Sequence, residues 1–143
     1  MEASGDIILN FLRGRYPVVP DYGIEMVDVR DVAEAHVRAL EHPSAAGHRF
    51  IVSGGPMHFG DIGPLLAREF PAFKRRMPKA VLPDFLSRLV ALFDAGTRSI
   101  LPDIGPIKRV STKTARDILE MTFRPAEEAV VAMARSLIAL KLA

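Results

Sequence analysis

The residues able to do chemistry are few, and their spacing excludes more than it admits. Arg30 and Asp31 form a charged pair at the end of an apolar run, Ile24 to Val29, and sites in open α/β proteins lie at strand ends. A carboxylate there is also what a helix start requires, so the pair is assigned to structure rather than to catalysis. His36, His42, His48 and His58 lack the paired spacing of a zinc helix, and the chain has no Cys. No metal is therefore expected. Lys74, Arg75 and Arg76 are the densest basic cluster, a group able to pair with substrate phosphate. No aromatic platform is interleaved with them and no complementary basic stripe accompanies them, so they read as solvated surface. Ser53, Gly54 and Gly55 lack the third glycine of a dinucleotide fingerprint.

The elements that position these residues follow from periodicity. Ile24 to Val29 reads as a short strand. Asp31 is expected as an N-cap, with Glu34 completing a capping box. A helix would then place Val32, Ala35, His36, Ala39 and Leu40 on one face, with His36 packed in the core. Pro43 ends it, Ser44 to Gly47 turn, and Phe50 to Ser53 reads as a buried parallel strand. Before this unit, a helix from Asp6 to Leu12, capped by Ser4 and ended near Gly14, presents Ile7, Ile8, Phe11 and Leu12, and Tyr16 to Tyr22 is an extended connection. After it, Gly54 to Pro56 is expected as a loop. A helix from Gly60 or Asp61 to Phe70 turns Ile62, Leu65, Leu66 and Phe70 inward, with Pro64 in its first turn. Leu82 to Asp94 reads as an amphipathic helix with Phe85, Leu86, Leu89, Val90, Leu92 and Phe93 on its apolar face, followed by a loop from Gly96 to Ile107. Ser111 caps a short helix through Leu119, and Pro125 opens a last helix to about Lys141.

The 143 residues are one domain's worth, 49% hydrophobic with a mean hydropathy of +0.17. A net charge of +2 makes no electrostatic case for nucleic acid. No run reaches the length of a membrane span, and MEASGD lacks the regions of a signal peptide. The expectation is a cytoplasmic protein with neither a membrane nor a nucleic acid as partner.

The stretch VDVRDVAEAHVRALEHPSAAGHRFIVSGG resembles the segment that follows the catalytic tyrosine and lysine in extended short-chain dehydrogenase/reductases, most closely the dihydroflavonol-reductase-like branch within the NAD-dependent epimerase/dehydratase group. ILNFLRGRYPVVP upstream, and LPDFLSRLVALFD, RSILPDIG, STKTARDIL and RPAEEAVVAMARSLI downstream, keep the family's order across nearly the whole chain. The chain has no glycine-rich fingerprint and no Tyr-x-x-x-Lys pair, both of which the family carries earlier. One departure stands out: where relatives commonly follow this helix with Leu-Gly-Trp, Leu119 is followed by Glu120, Met121, Thr122 and Phe123.

The resemblance implies an α/β, helix-rich C-terminal part of a Rossmann-type enzyme with two or three short strands, residues 1–143 forming a single substrate-binding region without the dinucleotide-binding region. It implies a cofactor contact at Ser4, which also reads as a helix N-cap. Glu25 and Met26 match pocket-lining positions, Glu25 otherwise being a solvent-facing strand residue, and Ser53 with His58 would line the same pocket. NAD(P) would serve the complete enzyme acting on a small carbonyl or hydroxyl substrate, while this chain alone would bind none and be inactive. A homodimer is expected, built on Phe50 to Ser53 or on apolar helix faces. The alternative is a free-standing, non-catalytic binding or assembly module derived from the fold.

Overall fold

The computed structural model describes residues 4–90, 92, 98, 104–105, 107 and 109–143. Helix α1 (Ser4–Leu12) is followed by the two-residue strand β1 (Val19–Pro20), strand β2 (Gly23–Met26) and helix α2 (Val29–Glu41). A 3-10 turn at Pro43–Ala45 leads to strand β3 (Gly55–His58), helix α3 (Phe59–Glu69) and a 3-10 segment at Pro71–Arg76. Strand β4 (Val81–Leu82) and helices α4 (Asp84–Val90), α5 (Lys113–Ile118) and α6 (Ala126–Ala139) complete the described elements. β1 pairs in parallel with β4, and β2 pairs antiparallel with β3. The expected helix-rich α/β character is therefore present, but its strands are differently placed.

The main core forms where α1, α3 and α6 pack on the β2–β3 pair. Ile8, Phe11 and Leu12 of α1, Ile62, Leu65 and Leu66 of α3, and Ala126, Val130 and Ala134 of α6 are buried together with Met57 and Phe59. The inward faces expected of α1 and α3 are the faces observed, except that Ile7 and Phe70 are half-buried. Phe11, Tyr16, Tyr22 and Phe59 interlock at ring separations of 4.9 to 5.8 Å, edge-on or tilted. A smaller cluster of Ala35, Ala45, Leu119 and Met121 lies under α2, with Phe50 and Val52 half-buried against it.

Several expected boundaries move, each for a physical reason. Strand β2 stops at Met26, and α2 begins three residues earlier than expected because Asp28, not Asp31, is its N-cap: its carboxylate accepts the Arg30 N–H at 2.9 Å. That rotates the helix, so its buried positions are Asp31 and Ala35 while His36 and Leu40 are exposed. His36 turns its Nδ1 to the Val32 carbonyl instead of entering the core. Phe50 to Ser53 is not a strand, since no described strand lies beside it to complete a ladder; the ladder forms one step later, at Gly55–His58, where a loop was expected. Pro64 sits in the second turn of α3 rather than the first. α4 ends at Val90 with Phe85, Leu89 and Val90 exposed and Ser87 buried, the reverse of the expected apolar burial. Phe93 and most of the loop expected from Gly96 to Ile107 lie outside the described residues. Thr112 rather than Ser111 is the N-cap of α5, although Ser111 Oγ still accepts the Lys113 N–H at 3.4 Å. Pro125 is the N-cap of α6 and the helix ends at Ala139.

Candidate substrate-facing site

The β2–β3 register decides which expected site residues can meet. Gly23 pairs with His58, Ile24 with Met57, Glu25 with Pro56 and Met26 with Gly55. Alternation along the pleat puts Glu25 and His58 on one face, and Ile24, Met26 and Met57 on the other. The second face is the core face: Met57 is buried, with Ile24 and Met26 packed against the same cluster. Met26 is thereby separated from Glu25, and what it offers the Glu25 side is its backbone.

Ser53 supplies the junction. Its buried Oγ donates to Glu25 Oε2, lies 3.2 Å from the Met26 carbonyl and accepts the Gly55 N–H at 3.0 Å. The other Glu25 oxygen accepts the Val110 N–H at 3.1 Å. Glu25 is thus a half-buried carboxylate with a hydroxyl donor on one oxygen and a backbone donor on the other, an arrangement that fixes its direction. Ile104 pairs with Tyr22, and a Cβ on Gly23 would lie 2.4 Å from Ile107, so glycine is what lets Ile107 approach the strand pair. His58 sits at the far end of the pair, exposed, 3.5 Å from Asp21. It shares the face of Glu25 but makes no contact with the Glu25–Ser53 pair. Ser4 is the first residue of α1, at the opposite end of that helix from Leu12.

The first glycine after Ser53 leaves no room for a phosphate. Gly54 donates to the Met26 carbonyl at 2.7 Å, and a Cβ on it would lie 2.1 Å from the Arg124 carbonyl. The bare side of Gly54 is filled by the chain's own backbone, so its smallness serves packing rather than phosphate approach.

Charged residues tie this junction down: Arg30 and Asp31, structural as the sequence suggested, and Asp28 and Arg124, which the sequence reading missed. Asp28 and Arg30 form a two-point ion pair at 2.7 and 2.8 Å. The Arg30 hydrogen bond holds the Asp28 carboxyl below its ordinary range, at about 2, against the opposing effect of burial. Buried Asp31 receives both the backbone N–H of Arg124, at 2.8 Å, and its guanidinium. The spacing of Asp28 and Asp31 around a helix start was the available signal for the cap, whereas the link from Asp31 to Arg124 joins residues far apart in sequence. Two surface clefts lie elsewhere. One, of about 330 Å³, is bordered by Arg30, Arg68, Glu69, Glu128 and Arg135; the other, of about 240 Å³, by Arg38, His42, Leu119 and Glu120. Neither includes Glu25 or Ser53, and at the first Arg30 pairs with Glu128 and Arg68 with Glu69. Among the described residues no group of three or more potential ligands converges as a metal site.

The fold class follows from solved structures. The yeast methylglyoxal/isovaleraldehyde reductase Gre2, solved with NADPH, matches 96% of this chain with a TM-score of 0.68 at 21% identity, over 36% of its own length. Another crystal structure, of gox2253, matches 97% of the chain with a TM-score of 0.73 at 24% identity, over 44% of its length. The chain has the fold of part of a Rossmann-type reductase. Among curated proteins, ketoreductase azaE of Aspergillus niger is 33% identical over 98 residues, covering 68% of this chain and 24% of the ketoreductase. Cinnamoyl-CoA reductase 1 of Arabidopsis thaliana is 38% identical over 66 residues, covering 46% of this chain and 19% of the reductase. The chain spans about a fifth to a quarter of the length of these relatives. No family profile matches it. The chain is similar to a part of the extended short-chain dehydrogenase/reductases.

Proposed function

We propose that this chain is the substrate-binding portion of an NAD(P)-dependent oxidoreductase acting on a small carbonyl or hydroxyl compound, and that alone it is inactive and binds no dinucleotide. The observation that carries the reading is the Glu25–Ser53 pair: a carboxylate and a hydroxyl oriented together at the end of β2, with the Val110 N–H on the second carboxylate oxygen. A hydroxyl held this way can turn from the carboxylate to a substrate oxygen, and the carboxylate can accept from a substrate hydroxyl. His58 and Met26 border the same strand pair from its far end and its core face, and Ser4 is assigned to the cofactor side in the complete enzyme. A second copy of the chain is proposed to cover Val29, Ala33, Val37 and Leu40, which α2 leaves exposed.

Titration of isotopically labelled chain with isovaleraldehyde and with 3-methylbutan-1-ol tests the substrate reading by amide shifts. The expected result is saturable shifts at Glu25, Ser53, Gly55 and Val110 that Ser53→Ala weakens. Saturable shifts confined to the Arg68–Arg135 cleft would overturn it. Calorimetry with NADH and NADPH tests the cofactor statement: no heat of binding is expected, and micromolar binding at unit stoichiometry would show that the chain carries its own dinucleotide site.

A further inference from the structure

Folding gathers cations that the sequence keeps apart. The stretches 7–20, 70–83 and 136–143 hold seven of the 19 Lys and Arg residues and none of the 17 Asp and Glu residues. The remainder of the chain is therefore net negative although the whole is +2. These three stretches are neighbours in space. Arg76 Nη1 donates to the Leu12 carbonyl at 3.1 Å, and a Cβ on Gly14 would lie 3.1 Å from that of Arg76. Arg13 clamps the Leu142 carbonyl with Nε and Nη2 at 3.1 and 2.7 Å, and the Lys79 N–H bonds the Pro17 carbonyl at 3.0 Å. Arg13, Arg15, Lys74, Arg75, Arg76 and Lys141 all lie exposed.

The character of this face narrows its partner. Arg13 and Arg76 already spend hydrogen bonds on backbone carbonyls, and Arg15 spends one on Asn10 Oδ1, so the face is a field of charge rather than a pocket shaped for one phosphate. Exposed aliphatic side chains flank it: Leu140 is 69% exposed, Leu142 45% and Val18 41%. Phe73 lies beneath the Arg76 guanidinium and Tyr16 against Phe11, so neither of these rings is a free platform for nucleobases. Clustered cations with adjacent aliphatics fit an anionic bilayer surface. No described helix is long and apolar enough to cross a membrane, but that bears on spanning, not on surface contact. We propose that the face formed by the end of α1, the Pro71–Arg76 segment and the residues after α6 is a peripheral docking surface for anionic lipid.

Co-sedimentation of the full chain with vesicles of phosphatidylcholine, with and without about a third phosphatidylserine, is the test. Binding is expected only to the anionic vesicles, falling steeply as salt rises. Each surface cation contributes about a fivefold change in affinity, so Lys74→Ala with Arg75→Ala should weaken binding roughly 30-fold. Leu140→Ser should weaken it by several-fold at unchanged charge, whereas Arg49→Ala, on the side of the smaller cluster, should leave it unchanged. All these positions are exposed, so thermal melts should coincide with that of the unaltered chain. Equal recovery with neutral and anionic vesicles would overturn the proposal. So would an equal loss in Arg49→Ala, or tighter binding to a DNA duplex than to anionic vesicles at the same salt, which would assign the face to nucleic acid.

Discussion

The two hydrophobic clusters are held together by different physics. Around α1, α3 and α6, large side chains close on one another: Phe11, Leu12, Ile62 and Leu66 are each 0% exposed. Under α2 the cluster consists of Ala35, Ala45, Leu119 and Met121, and the helix is secured by charges instead. Asp28 with Arg30 fixes its start, and Asp31 with Arg124 its first turn. Arg38 fixes its last turn by donating to the Leu119 and Glu120 carbonyls at 2.8 Å. The outer face of that helix is bare: Val29, Val37 and Leu40 are 72, 53 and 89% exposed, with exposed Ala33 between them. One region is stabilised by what it buries within the chain, and the other keeps its apolar stripe outward while ion pairs hold it in place.

The largest expected effect tests the first half of that contrast. Leu66→Ala removes a fully buried side chain between helices and is expected to cost about 3–5 kcal/mol, near the upper end for such substitutions. Because that core joins α1, α3 and α6, the loss should appear equally in helix content and in tyrosine fluorescence during urea unfolding. If the two signals separate, the main core is not one cooperative unit. Asp31→Ala probes the other half. It leaves the Arg124 N–H without its acceptor and the guanidinium with only Glu128, 3.7 Å away, a loss of roughly 2–3 kcal/mol, below the usual range for a buried pair because Arg124 is 35% exposed. Hydrogen exchange should then accelerate in α2 and around Leu119–Phe123 while α1 and α3 stay protected. Uniform acceleration across all helices would mean that the two regions unfold together.

The same contrast explains what was legible in the sequence. The faces of α1 and α3 were, because burial at helical spacing is a local pattern: Phe11 and Leu12, or Ile62, Leu65 and Leu66, declare themselves. The rotation of α2 was not. Two aspartates, Asp28 and Asp31, stand within a turn of the helix start, and either satisfies the preference for a cap. The choice is made by Arg124, distant in sequence, which draws Asp31 inward. Phe50 to Ser53 misled for a related reason, since an apolar β-branched run states what a strand would look like but not whether a neighbour exists to pair with it. Among the candidate site residues, Glu25 and Ser53 do meet, while alternation across the pleat turns Met26 to the core and leaves His58 at the other end. The missing glycine after Leu119 is answered through space as well. Glu120 adopts φ +52°, a conformation costing about 1 kcal/mol without glycine, and the Arg38 guanidinium bonds the two carbonyls exposed there.

A smaller effect separates charge from burial by pH. Asp28 titrates at about 2 when folded against an ordinary 3.8, so it binds fewer protons folded than unfolded at intermediate pH. Its contribution is complete above about pH 4 and is lost as pH falls through 2. Arg30 is 51% exposed and screened by solvent, so the expected loss is on the order of 1 kcal/mol. Denaturation midpoints compared at pH 5 and at about pH 2 should show less of this loss in Asp28→Asn, which keeps the capping oxygen but no longer carries a titrating charge. An identical acid loss in Asp28→Asn and the unaltered chain would mean that other carboxylates govern the acid limb.

The smallest expected change in stability belongs to the bare stripe, and there it is the most informative. Leu40 touches too little to matter for the folded monomer: at 89% exposed it has little burial to lose, and Leu40→Lys should move the unfolding free energy by no more than about 0.5 kcal/mol. Association is a different matter. Val29, Ala33, Val37 and Leu40 recur every three or four residues along one side of α2, the spacing by which a helix presents a continuous apolar strip to another surface. If a second copy of the chain covers that strip, a lysine at its centre of exposure must lose its water on docking, and the penalty falls on the dimer alone. Sedimentation at micromolar concentration should therefore show self-association in the unaltered chain and a monomer in Leu40→Lys, with the thermal melt of dilute protein unchanged between them. If the unaltered chain runs as a monomer, no second copy covers the stripe. If Leu40→Lys instead lowers the melt of dilute protein by several degrees, Leu40 is packed within the monomer, and the division between a region closed by burial and one held open by charge is wrong.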